Sequence, residues 1–188
     1  MLKKPITILI SIIILTTAFT ACDKKDEEKD TTPKPVAEVT FENSRYGIYN
    51  ETLNWEQAKL KCEEYGGHLV TITSQEEQAA VLGMITETDA TSLRNSYFMG
   101  ATDINLSGEW KWVTDETFEY TDWKKNEPKP QEGEQYLSVF AKTYNGNSGV
   151  TDPGKWNDCM KDGTSYAGAG DTGFFSPDSM GFICEWKA

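Results

Sequence analysis

Hydrophobic positions along the chain fall into two textures. From residue 54 onward they recur at helical spacing: Trp55, Ala58, Cys62 and Tyr65 are separated by 3, 4 and 3 residues and share one helix face. Asn54 with Gln57 supplies a capping pair at the start, and Gly66-Gly67 ends the helix. Ser74 with Glu77 reads as a second capping box, opening a helix through Ala79, Leu82 and Ile85. Between the two, Leu69 to Ile72 is β-prone. After about residue 95 the pattern shortens to strand-like pieces: 97–100, 110–113, 136–140 and 181–186. Long segments separate them, at roughly 114–135, 141–155 and a Gly- and Ser-rich 161–180. Loops of that length inside a compact domain are usually functional or held by something. No internal repeat is visible.

The first forty residues follow neither pattern. Lys3 and Lys4 precede a short apolar run from Ile6 to Leu15, and small residues lead to Thr20-Ala21-Cys22. About ten apolar residues are short for a membrane span. The arrangement resembles a bacterial lipoprotein signal, in which cleavage precedes a cysteine that becomes lipidated. Phe19 departs from it, because Leu is usual at that position. The expectation is a signal peptide over residues 1–21, a lipidated Cys22 heading a charged tether over 22–42, and a folded domain over 43–188. Residues 23–40 are charged, poor in aliphatics and punctuated by proline, which suits a solvated spacer. Lysines followed by acids after such a cysteine also resemble surface-export signals of Bacteroidetes lipoproteins. The protein is expected in the bacterial cell envelope, extracytoplasmic and exposed, touching membrane through its lipid alone.

Charge and composition narrow the partners. The formal charge is −12, and removing residues 1–21 takes away two lysines and no acids, leaving about −14. Nucleic acid needs a basic footprint and is excluded, and there is no polybasic patch for anionic lipid. Aromatics at 12%, including six tryptophans, indicate a folded module and not a disordered one. If Cys22 carries lipid, Cys62, Cys159 and Cys184 remain, an odd number for an oxidising compartment. With one histidine and no C-x-x-C, their spacing does not suggest zinc.

Candidate chemistry lies in the long segments. Glu127-Pro128-Lys129, Glu134 and Trp156-Asn157-Asp158 form a split cluster of hard oxygen donors. Calcium takes six to eight oxygens at about 2.3–2.6 Å, and vicinal sugar hydroxyls can share such a shell. Lys129 sits in the middle, and a protonated ammonium has no lone pair to give a metal. Singly, Glu127 and Glu134 read as solvated acids and Asn157-Asp158 as a turn. His68, beside the Gly-Gly turn, reads as a packing residue. Trp110, Trp112 and Trp123 read as core, with Tyr144 and Tyr166 as better candidates for stacking on a ligand. The segment from Gly163 to Ser176 is a candidate extension of a binding surface, with Phe174 and Phe175 as apolar contacts. A carboxylate pair could serve a glycosidase, which needs the two groups roughly 5–10 Å apart. No Ser/His or Cys/His arrangement supports catalysis, so no catalytic residue is assigned and an enzyme is not expected.

Together the pieces resemble a C-type lectin-like domain over residues 43–187. The resemblance rests on Asn54-Trp55 with Ala58 and Cys62, Gly66 to Val70 with Ile72, and Phe98 to Ala101. It continues with Gly108 to Trp112, Trp123, Glu127-Pro128, Trp156 to Asp158 and Phe182 to Glu185. It implies an α+β fold, two helices packed on small antiparallel sheets with a long loop region. It implies a Cys62–Cys184 disulfide and a cis bond before Pro128, and it leaves Cys159 unpaired, with Tyr136 at the position of its family partner. It further implies calcium and carbohydrate at one site: Glu127, Glu134, Asn157 and Asp158 match four of five ligands, with Lys129 in place of the usual Asn. A secondary calcium site looks lost: Asp103 and Glu134 remain, but Ser107, Pro130 and Gln135 replace further acids. Lys129 leaves three readings open. It swings away and leaves a weakened calcium site; its ammonium replaces the ion; or the module binds a protein partner without calcium.

Overall fold

The computed structural model describes residues 32–129, 133–146, 149–165 and 174–187, so Cys22, Pro130 and Tyr166 lie outside the described residues. The first described element was not expected. Strand β1 (Ala37–Phe41) turns at Glu42-Asn43 into β2 (Ser44–Tyr49), pairing Ala37 with Ile48 and Phe41 with Ser44. The folded unit therefore begins before the boundary expected at residue 43. Val39 and Phe41 alternate with polar residues and pack on the core, a period-two signal too short to separate from the charged run before it.

Helix α1 (Trp55–Glu64) carries the expected capping box: Asn54 accepts from the Gln57 amide, and Gln57 reaches back to the Asn54 amide. Its buried face is Trp55, Ala58 and Cys62, with Tyr65 as the C-cap. Gly67 follows where a Cβ would stand 2.3 Å from the Glu185 carbonyl, so the chain passes too close for any side chain. Helix α2 (Gln75–Glu87) is capped by Ser74, but the return half of the box shifts by one residue. Glu77 accepts from the Thr73 amide and from the Tyr46 hydroxyl. Its buried face is Glu77, Gln78, Val81, Met84 and Ile85, while Ala79 is exposed and Leu82 half-buried. The expected stripe was displaced because two polar residues, both hydrogen-bonded, face inward.

Among the described residues, eight strands form one sheet. They are β1, β2, β3 (His68–Leu69), β4 (Ser96–Thr102), β5 (Lys111–Trp112), β6 (Tyr136–Phe140), β9 (Trp156–Cys159) and β10 (Met180–Lys187). The main order is β1-β2-β10-β4-β6-β9, antiparallel except for the parallel β10–β4 pair; β3 joins β10 and β5 joins β4. A separate two-stranded ribbon is β7 (Tyr144–Gly146) with β8 (Gly149–Thr151). The α+β expectation holds.

One core lies between α2 and the sheet and includes Val81, Ile85, Tyr97, Met99, Leu137 and Trp156. A second joins α1 to β10 through Trp55, Cys62, Phe98, Phe182 and Cys184, closed by the Cys62–Cys184 disulfide. Of the three tryptophans expected in the core, Trp112 is buried, and Trp110 and Trp123 pack against the core from its edge.

Candidate functional site

Trp156 anchors the site. Its indole is fully buried, edge-on to Trp112, Tyr120 and Trp123, and donates to Gln78 Oε1 at 3.0 Å. The Gln78 amide in turn donates to the Gly154 carbonyl at 2.7 Å, which explains a glutamine on the inner face of α2. With Trp156 fixed, β9 runs antiparallel to β6, placing Asn157 opposite Ser138 and Asp158 opposite Leu137. Asn157 and Asp158 are thus strand residues, not the loop residues expected, with 2% and 1% exposure. Cys159 pairs in register with Tyr136 and is a free, buried thiol bonded to the Tyr136 carbonyl; burial pushes its titration up.

The segment before β6 folds over this strand. The Lys124 amide donates to the Trp156 carbonyl, the Glu127 amide closes a turn onto the Lys124 carbonyl, and the Glu127–Pro128 bond is cis, as the resemblance implies. The Lys129 amide then donates to Asp158 Oδ2 at 2.8 Å. These contacts gather Glu127, Lys129 and Asp158, with Glu134 close enough to act on Asp158 electrostatically.

The charges arrange themselves around Glu127. Its side chain is 8% exposed, and its Oε1 accepts from Lys129 Nζ at 3.2 Å and from Lys124 Nζ at 3.5 Å. The Lys129 side chain is half exposed, whereas that of Lys124 is buried, its ammonium 5.2 Å from the Tyr144 ring centroid. Glu134, buried, accepts from the Ser165 hydroxyl. Asp158 is pushed up to about 7, first by burial and then by the Glu127 charge; the Lys129 amide opposes this, and Glu134 adds to the rise. Lys124 and Ser165 were missed in the sequence. Lys124 sits in a run with Lys125 that reads as solvated charge, and nothing local marks Ser165.

Other expectations resolve beside the site. Asp103 accepts from the Ser107 amide and hydroxyl and from the Gly108 amide, so its carboxylate closes its own loop. Gln135 donates to the Ile104 carbonyl. Tyr144 is not available for stacking on a ligand. It is buried with Phe140 and Phe175 in a small aromatic cluster, with Phe174 packed at its edge. Phe175 is likewise buried, against the expectation of an exposed apolar contact. Glu134 lines a cavity of about 100 Å³ with Asp103, Trp110 and Lys129. Its neighbours Gly133 and Gln135 line a more open groove of about 460 Å³ with Tyr136 and Met160.

Do these residues fit calcium? The ion needs six to eight oxygens converging on one point. Here Glu127 is turned to two ammonium groups, Glu134 to a hydroxyl and Asp158 to a backbone amide. Among the described residues no three His, Cys, Asp or Glu side chains are placed to hold a metal ion. As arranged, these three carboxylates do not fit calcium, and lysine ammonium groups face one of them, Glu127.

A helix tied to the sheet by a disulfide, with a cis-proline loop folded over a Trp-Asn-Asp strand, is the arrangement of a lectin-type domain. The family described as Lectin C-type domain matches residues 51–163, more than half the chain, and the chain belongs to that family. It is 27% identical over 152 residues to a perlucin-like protein of Mytilus galloprovincialis, covering 80% of this chain and 81% of that protein. It also resembles the carbohydrate-recognition domain of the mouse scavenger receptor C-type lectin, at 27% identity and a TM-score of 0.56. That match covers 80% of this chain and 95% of the other. A calcium-independent type II antifreeze protein shares the fold, at 18% identity and a TM-score of 0.58 over 83% and 95% of the two chains. At that identity the likeness is one of fold alone.

Proposed function

We propose that this domain binds carbohydrate at the face formed by Glu127 and Lys129, over a floor of Glu134, Asn157 and Asp158, without calcium. The observation that carries the reading is the rim pair: a half-exposed ammonium donor 3.2 Å from a carboxylate acceptor. A sugar hydroxyl both donates and accepts, so two vicinal hydroxyls can address Lys129 Nζ and Glu127 together. The buried floor fixes the rim, since Asp158 holds the Lys129 amide and the cis bond turns the chain between them. Membership of a family that includes carbohydrate-recognition domains supports the ligand class. The N-terminal pattern supports a cell-surface location, with Cys22 lipidated and an acidic spacer carrying the domain. Loss of labelled palmitate in Cys22→Ser checks that part.

The test is a glycan array followed by calorimetry of any hit, in chelator and in millimolar calcium. Equal affinity in both is expected, with a roughly tenfold or greater loss in Lys129→Ala and in Glu127→Gln, since each removes a charge-assisted hydrogen bond. Binding abolished by chelator, or untouched by both substitutions, overturns the reading.

A further inference from the structure

Among the described residues Lys124 is the buried lysine beside the site, and the binding reading above does not use it. The main chain fixes it, since its amide is bonded to the Trp156 carbonyl and its carbonyl accepts from the Glu127 amide. Its side chain is buried, with the ammonium 3.5 Å from Glu127 Oε1, 5.2 Å from the Tyr144 ring centroid and 5.9 Å from the Phe140 ring centroid. Those rings belong to the cluster with Phe175, so a positive charge is held between a carboxylate and two aromatic faces. An exposed lysine forms such pairs weakly, because solvent screens it and ordering the chain costs entropy. A buried one exchanges little with water, and removing it strands the carboxylate. Lys129, half exposed, is the first kind; Lys124 is the second.

We infer that Lys124 and Lys129 together stand in for a divalent cation at Glu127, with the buried Lys124 holding the site closed to metal. The inference rests on the metal-free reading of this site and goes beyond it. Replacing Lys129 alone is then insufficient to create a calcium site, even by the Asn that the family usually carries, because Glu127 keeps its inner counter-charge. Both lysines must go. Methionine at 124 preserves the apolar stem against Phe140 and Tyr144 and removes only the ammonium.

The experiment compares melting temperatures in chelator and in excess calcium for wild type, Lys129→Asn, Lys124→Met/Lys129→Asn and Lys124→Arg/Lys129→Asn. Circular dichroism first verifies folding. Where the Met variant does not fold, Lys124→Gln, which keeps a neutral donor for Glu127, replaces it. Wild type and Lys129→Asn should not respond. The Met/Asn double variant should rise by about 5–10 °C at calcium 100-fold above its Kd, and the Arg/Asn variant should lose that rise. A full response in Lys129→Asn alone, or none in the Met/Asn variant, overturns the role of Lys124. A response in wild type instead overturns the metal-free reading itself, so the two failures are distinguishable.

Discussion

Asp158→Asn should flatten the pH dependence of stability. Asp158 lies at 1% exposure between Glu127 and Glu134, and in the folded domain its carboxyl is pushed up to about 7. In the unfolded chain it titrates near 3.9. The folded state therefore binds the proton more tightly. Stability from this group is fully present below about pH 4 and is lost as pH rises through about 7. A gap of about 3 units is at most about 4 kcal/mol, and relaxation around the buried carboxyl brings it to roughly 2–4 kcal/mol. For a domain of this size that is a fall of roughly 5–15 °C in melting temperature between pH 4.5 and 7.5. Glu116 and Asp89 are held low and lose stability in the opposite sense, but at more acid pH, outside this window. The assay is thermal unfolding at four pH values in chelator, on wild type and Asp158→Asn. Asparagine keeps an acceptor for the Lys129 amide while removing the charge. Parallel curves for the two proteins, within about 1 °C across the window, would refute the reasoning.

Other expectations follow from packing. Cys62→Ser/Cys184→Ser opens a loop of sequence separation 122 and should cost about 5 kcal/mol in the chain-entropy model, read by urea unfolding. Gly181→Ala places a Cβ 2.3 Å from the Tyr49 carbonyl and 2.5 Å from the Tyr97 ring. It should cost about 1–3 kcal/mol as an overpacked site in the sheet, checked by the same titration.

Sequence and structure agree most closely where a local rule and a packing rule coincide. Asn54 and Gln57 form the expected box because Trp55, Ala58 and Cys62 need that helix face for the second core. Helix α2 shows the limit. Gln78 belongs inside because it bridges Trp156 and Gly154, partners 76 and more residues away that no window can see. The hairpin β1–β2 went unread for a related reason, since its alternation is short and abuts a charged run. Family order singled out Glu127, Glu134, Asn157 and Asp158 together, and the structure brings Glu127 and Asp158 to Lys129, with Glu134 acting on Asp158. Their chemistry was not. The buried cation at Glu127 is Lys124, held against the Phe140 and Tyr144 rings, and Lys124 by itself resembles any surface lysine. The same long-range folding buries Tyr144, which sequence alone had offered to a ligand.

The Cys62–Cys184 bond has a topological consequence. Glu127, Lys129, Glu134, Asn157 and Asp158 all lie within the covalent ring that it closes, whereas β1 and β2 lie outside it. A pull arriving through the N-terminal segment meets β1 first, an edge strand bonded only to β2. That single strand can peel from β2 while the ring stays shut. The proposed binding face would thereby be insulated from the strand through which a tether would transmit load, so that ligand and mechanical strain need not compete for the same hydrogen bonds.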